Sequence, residues 1–189
     1  MNTQAIETNP NVVNGIDTDH VKSLAGRISE DEDYGKFQFR ANNRWVDGAS
    51  SETSIQGFFA GGREDTGRKE PMMVATDQPA FLGGNDTGPN AVEHVLHALT
   101  SCLTTTLTYH ASVQGILLGA VETSAVGELN SRGFFGISDE VKKGYERIVV
   151  NMRVASQASV EELTACAMNS PVFEMVSQAT PVEFRLFTN

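Results

Sequence analysis

The chemistry open to this chain is concentrated in its 2 cysteines, Cys102 and Cys166. A thiolate is a strong nucleophile and can be oxidised and reduced again. Two cysteines cannot by themselves build a structural zinc site, which needs about four ligands. They read either as small buried fillers or as a redox pair, and the residues alone leave both readings open. His94 and His97 lie three apart beside Glu93. That spacing can hold a metal, but it equally describes partly exposed residues near a helix start, so no metal is expected. Gly83-Gly84 could suggest a phosphate cradle. No Lys-Ser/Thr pair follows, so the glycines are read as permitting tight turns, and no cofactor is expected.

Cys102 lies on the clearest helix in the sequence, residues 90–114. Asn90 and Glu93 form an N-cap and N3 pair of the capping-box kind, and Gly115 supplies the stop. Val92, Val95, Leu96, Leu99, Leu103, Leu107 and His110 form an apolar stripe. Glu93 is the one charged residue, which predicts a helix buried on most sides, with His110 in the core or at an interface. Cys166 lies on a second helix, opened by Ser159 and Glu162 and interrupted at Pro171, where it must kink or restart.

Strands surround these helices. Residues 1–17 have no period and read as a loose tail, with a short helix over 19–28. An antiparallel hairpin is expected from residue 34, turning at Val46-Asp47-Gly48 and returning over 54–59. Trp45 and Phe58-Phe59 would be core anchors there or line an apolar pocket. Residues 61–69 read as a charged, solvated loop, 72–75 as a strand and 81–90 as loop. Residues 121–131 and 145–156 alternate as a strand pair, with Ile148, Val150, Met152 and Val154 on one face. Residues 181–188 form a last strand. The order strands, long helix, strands, helix, strand predicts an α+β fold with an antiparallel sheet. The organisation expected is an N-terminal tail with a short helix (1–33) followed by one domain (34–189).

Composition narrows the partners. The net charge of −10 opposes phosphate backbones, so no nucleic acid is expected. No apolar run approaches the ~20 residues of a membrane span. The polar N-terminus lacks the basic start and apolar stretch of a signal peptide, so a cytoplasmic location is expected.

Three stretches together resemble the OsmC/Ohr family. They are Asp77-Gln78-Pro79-Ala80-Phe81-Leu82-Gly83-Gly84-Asn85-Asp86; Gly88-Pro89-Asn90-Ala91-Val92-Glu93 running into Ala98-Leu99-Thr100-Ser101-Cys102-Leu103; and Ser170-Pro171-Val172. The resemblance covers roughly residues 34–189. It implies an intertwined homodimer, with a curved antiparallel sheet from each chain wrapped around long central helices. It also implies a thiol-dependent peroxidase acting on organic hydroperoxides. Cys102 would be the nucleophile. An arginine of the first hairpin, Arg44 or Arg40, would stabilise the thiolate, held by a carboxylate from the long-helix N-terminus.

The sequence departs from the family pattern at two places. Ser170 stands before Pro171 where classical members carry the resolving cysteine. Cys166 lies one turn earlier, a shift of ~6 Å that is large for a disulfide. Val92 stands at the usual catalytic carboxylate, with Glu93 one residue later and on the face opposite Cys102. Glu93 is left as the helix cap and a positioning group. Resolution is then expected from an external thiol, with Cys166 as the other candidate. The alternative is a non-catalytic dimer that binds a small apolar ligand at the interface pocket, with Cys102 inert.

Overall fold

The computed structural model describes residues 11–189; the tail reading of residues 1–10 lies outside them. Residues 11–17, expected as tail, form a small hairpin instead. Strands β1 (Val12–Val13) and β2 (Ile16–Asp17) pair antiparallel. The turn residue Asn14 ties this hairpin to the far end of the long helix. Its amide donates to Ser112 Oγ (3.0 Å) and Ile116 O (2.9 Å), and its Oδ1 accepts from Leu118 N (2.9 Å). A segment without hydrophobic period is thus held by one side chain making three hydrogen bonds, which periodicity cannot reveal. The short helix follows as α1 (Thr18–Glu30).

Two units divide the rest, residues 20–95 and residues 96–189, with residues 11–19 joining the second. The first unit holds β3 (Gln38–Phe39), β4 (Asn42–Asp47), β5 (Ser50–Ile55), β6 (Phe58–Ala60), β7 (Arg63–Asp65) and β8 (Met72–Thr76). The β4–β5 hairpin turns where expected, and β8 pairs on the other side of β5. The return strand is not continuous, however. Gln56-Gly57 separates β5 from β6, and β6 pairs with β3 and β7 in a different sheet. A glycine inside a strand weakens it and commonly marks such a change of ladder. The segment 61–69, expected as loop, begins with a hairpin turn. Gly61 and Gly62 have φ of 58° and 76°, as the tight turns favoured between twisted strands require.

The long helix α2 (Ala91–Val113) begins in the first unit and continues into the second. There it is followed by β9 (Val121–Leu129), the short α3 (Ser131–Phe134), β10 (Tyr145–Val154), α4 (Val160–Ala167), α5 (Pro171–Ala179) and β11 (Val182–Thr188). The sheet order is β11-β10-β9. β9 and β10 are antiparallel, but β10 and β11 run parallel, with Ile148 opposite Val182 and Val154 opposite Thr188. The expected all-antiparallel sheet is therefore corrected here. The connection through α4 and α5 carries the chain back to the end where β10 began, the long crossover a parallel pair needs.

Alternation along β10 places Ile148, Val150, Met152 and Val154 on one face as predicted, and that face is buried. They meet Leu99, Leu103, Leu107 and Ala111 of α2, Leu163, Cys166 and Ala167 of α4, and Leu186 of β11. Each fully buried leucine contributes roughly 1.5–3 kcal/mol relative to exposure. The stripe advances by four residues each time, so it reaches Ala111 and leaves His110 exposed; His110 is not in the core of the chain. Nor is α2 covered on most sides. Ser101, Thr105 and Tyr109 are exposed as well. The helix tolerates its many hydroxyl residues because they bond back to its own carbonyls, as Thr108 does to Thr104 O (2.9 Å) and Ser112 to Thr108 O (2.6 Å).

Candidate active site

Cys102 sits mid-helix on α2, half-buried, immediately before the buried Leu103. Two hydroxyls meet its sulfur. Ser170 Oγ donates to Cys102 Sγ at 3.2 Å, and Thr106 Oγ1 lies 3.9 Å away, one turn further along α2. Ser170 is 1% exposed. Its position follows from the local sequence. Pro171 cannot continue α4, so the chain breaks after Ala167 and restarts as α5 with Pro171 in the first turn. Ser170 becomes the N-cap of α5, in an extended backbone conformation, and its Oγ accepts from Phe173 N at 3.2 Å. The break predicted at Pro171 is thus a restart, and it delivers a hydroxyl to the thiol.

Cys166 occupies a different environment. It is buried on α4, and Gln114 Nε2 donates to its sulfur at 3.4 Å. Burial pushes the Cys166 thiol up from its ordinary value; the Gln114 bond opposes this and the Glu162 charge adds to it. The two sulfurs therefore have different partners, Ser170 and Thr106 for Cys102 and Gln114 for Cys166.

The arginines expected to serve the thiol are each engaged within the first unit. Arg44 Nη2 bonds Glu52 Oε2 at 2.7 Å, and Arg40 bonds both carboxylate oxygens of Glu64, at 2.9 and 2.7 Å. The implied holding carboxylate at the start of α2 is not the partner of either. Register explains Arg44, since Arg44 and Glu52 are directly opposed on β4 and β5. Glu93 is occupied by the capping box. Its carboxylate accepts from Asn90 N (2.8 Å), and Asn90 Oδ1 accepts from Glu93 N (2.9 Å). His94 places a ring nitrogen 3.3 Å from Ala75 O, and His97 is exposed. Trp45 is 70% exposed and donates to Gly48 O, so it anchors the turn rather than a core. Phe58 is covered by the Phe39 ring and the Arg68 guanidinium.

Sequence reading missed the organiser of the loop before α2. Asp77 is buried, and its carboxylate accepts from Thr87 Oγ1 (2.8 Å) and from the backbone N–H groups of Gln78, Asn85 and Thr87. The Thr87 hydroxyl bond, joined by the backbone donors and opposed by desolvation, holds this carboxyl below its ordinary range. Gly84 is required by the same wrapping: a Cβ there would lie 1.9 Å from Gln78 O. An aspartate followed by Gly-Gly and Thr was the available signal. The Ser170–Cys102 contact was also missed, although Ser-Pro was visible as a helix-start signal.

Among the described residues, no three His, Cys, Asp or Glu side chains cluster so as to hold a metal, and no helix is long and apolar enough to cross a membrane.

These features define a mixed α/β protein with a cysteine-bearing long helix, whose thiol is met by the cap of a later helix. The sequence profile of OsmC-like proteins matches residues 83–185, more than half of the chain. The chain belongs to the OsmC/Ohr family. Solved structures share the fold at low identity. An OsmC-like protein from Mycoplasma pneumoniae is 11% identical with a TM-score of 0.60, covering 80% of this chain and 96% of that one. An organic hydroperoxide resistance protein from Elizabethkingia anophelis, with thiocyanate bound, is 15% identical with a TM-score of 0.57, covering 80% and 96%. An organic hydroperoxide resistance protein OsmC from Legionella pneumophila is 16% identical with a TM-score of 0.53, covering 79% and 96%. No curated protein matches the sequence.

Proposed function

We propose that this protein is a thiol-dependent peroxidase that reduces organic hydroperoxides at Cys102 and is recycled by an external thiol, an antioxidant role in stress response. The observation that carries the reading is the Cys102 sulfur, half-buried on α2, with the Ser170 hydroxyl 3.2 Å away, at the position where the family resemblance implies a resolving thiol. Family membership supports the reaction, and the names of the Legionella and Elizabethkingia relatives support the substrate class.

The Cys102 thiolate attacks the terminal peroxide oxygen. The O–O bond breaks, Cys102 becomes a sulfenic acid, and the alkoxide leaves and takes a proton as the alcohol. A thiol then condenses with the sulfenic acid, releasing water and forming a mixed disulfide. A second thiol displaces Cys102 from it. The sum is one hydroperoxide and two thiols giving one alcohol, water and one disulfide. Ser170 cannot form a disulfide, and Cys166 is engaged elsewhere by Gln114, so the first condensing thiol comes from outside the chain. A thiol reductant suits a reducing compartment, the cytoplasm.

Arg44 is proposed as the thiolate-stabilising cation, with Arg40 as the other candidate. The Arg44–Glu52 pair is largely exposed, and such pairs are weak enough to exchange partners. Glu93 positions the start of α2 through its cap. The working unit is proposed to be a homodimer, its long helices central and its sheets wrapped around them. Val92, Val95 and Tyr109 on α2, and Phe39, Trp45 and Phe81 in the first unit, are large and exposed in the single chain, as surfaces awaiting a second copy are.

The test is mass spectrometry of the reduced protein after stoichiometric cumene hydroperoxide with dimedone present. A dimedone adduct on Cys102 is expected. An unmodified Cys102 would overturn the peroxidase reading and leave the family fold as a binding module.

A further inference from the structure

We propose that Ser170 is a positioning residue that brings the positive end of α5 to the Cys102 sulfur. The hydroxyl has one hydrogen to give, and it is directed at Cys102 Sγ over 3.2 Å. A lone pair of the same oxygen accepts from Phe173 N at 3.2 Å. The two bonds form a chain from a backbone amide, through a hydroxyl, to sulfur, and each bond polarises the next. The amide belongs to the first turn of α5, a helix of 9 residues, where unpaired N–H groups concentrate positive potential. Cys102 lies too far along its own helix to gain from the dipole of α2. The start of α5 supplies instead what that position lacks.

The arrangement favours the charged sulfur over the neutral one. A hydrogen bond to an ionised acceptor is about twice as strong as one to a neutral acceptor. The sulfur's hydrogen-bond partners among the described residues are the hydroxyls of Ser170 and Thr106, both uncharged. Ser170 is buried, so water does not compete for its hydrogen. The residue at the position where the resemblance implies a resolving cysteine thus acts at an earlier step. It helps generate the attacking thiolate and leaves the sulfenic acid for an outside thiol.

This inference rests on the peroxidase reading for its place in turnover, but its test does not use peroxide. In a Cys166→Ala background, Cys102 is alkylated with iodoacetamide across a range of pH in the parent, Ser170→Ala, Ser170→Gly and Ser170→Thr proteins. Glycine caps a helix nearly as well as serine, so Ser170→Gly removes the donor while sparing α5. The Ala and Gly variants should react roughly threefold to tenfold more slowly near pH 7, because the thiolate loses about twice the hydrogen-bond energy that the thiol loses. The deficit should close at high pH, where every variant is thiolate, and Ser170→Thr should recover most of the rate. Equal rates near pH 7, or a deficit that is the same at every pH, would reduce Ser170 to a helix cap. A cumene hydroperoxide experiment on the same parent separates the two ideas. If Cys102 resists peroxide yet the alkylation profiles differ, the peroxidase reading falls and the Ser170 inference stands.

Discussion

The Cys102 sulfur and the Ser170 hydroxyl are 3.2 Å apart, and predictions at the residue scale follow from that distance. Cys102→Ala should abolish hydroperoxide turnover, because the other thiol, Cys166, is buried and pushed toward its neutral form; turnover retained in this variant would exclude the proposed mechanism. Cys166→Ala should leave turnover with a small-molecule thiol within about twofold, since burial holds the Cys166 thiol in its neutral form. Ser170→Cys should convert the chemistry. A thiol in place of the hydroxyl needs to approach Cys102 by only about 1 Å to reach disulfide bonding distance, which a side-chain rotation can supply. Stoichiometric hydroperoxide should then remove two titratable thiols per chain and abolish dimedone labelling. Persistent labelling would show that the restart at Pro171 fixes position 170 too rigidly for closure.

At the scale of elements, the loop between β8 and α2 depends on Asp77 and Gly84. Gly84→Ala would drive a Cβ into Gln78 O, a backbone atom with no rotamer to move, so the loop should open and the unfolding temperature fall. The Asp77 carboxyl is held low in the folded protein, so between its folded value and ~3.9 the unfolded chain binds the extra proton. Its contribution is therefore complete above about pH 4 and is lost as pH falls through the folded value. Urea midpoints at pH 7 and pH 3 should differ more for the wild type than for Asp77→Asn. An identical acid loss in the variant would assign the effect to other carboxylates. Local signals made α2, α4 and β10 legible: Asn90 with Glu93, Ser159 with Glu162, and the alternation from Ile148 to Val154. Nonlocal choices were not legible. Parallel pairing of β11 depends on where α4 and α5 return the chain, and the Arg44–Glu52 pair depends on strand register. The Cys102–Ser170 contact joins residues 68 apart; its serine and its helix were both readable, but their meeting belongs to the tertiary fold.

At the scale of the whole molecule, the buried apolar side chains are unevenly placed. Leu99 through Leu186 supply the described core, and every member belongs to the unit containing residues 96–189. In the unit of residues 20–95, Phe39 and Trp45 are each 70% exposed and Phe81 is 95% exposed. A segment that buries so little apolar surface cannot offset an ordering cost of ~1–2 kcal/mol per residue for backbone alone. Cover would stabilise it, and the proposed homodimer would provide that cover from a second copy of the chain. Light scattering at micromolar concentration should therefore give about twice the 20.4 kDa chain mass. Val95→Asp, placed on the exposed flank of α2, would bury an unpaired carboxylate in such an interface, at a cost of several kcal/mol. It should reduce the mass to one chain or lower the unfolding temperature sharply, whereas the wild-type unfolding temperature should rise with protein concentration, as a dimer's does. A wild-type chain that is monomeric and unfolds cooperatively, independent of concentration, would show that residues 20–95 are stable without a partner and would remove the basis for the dimer.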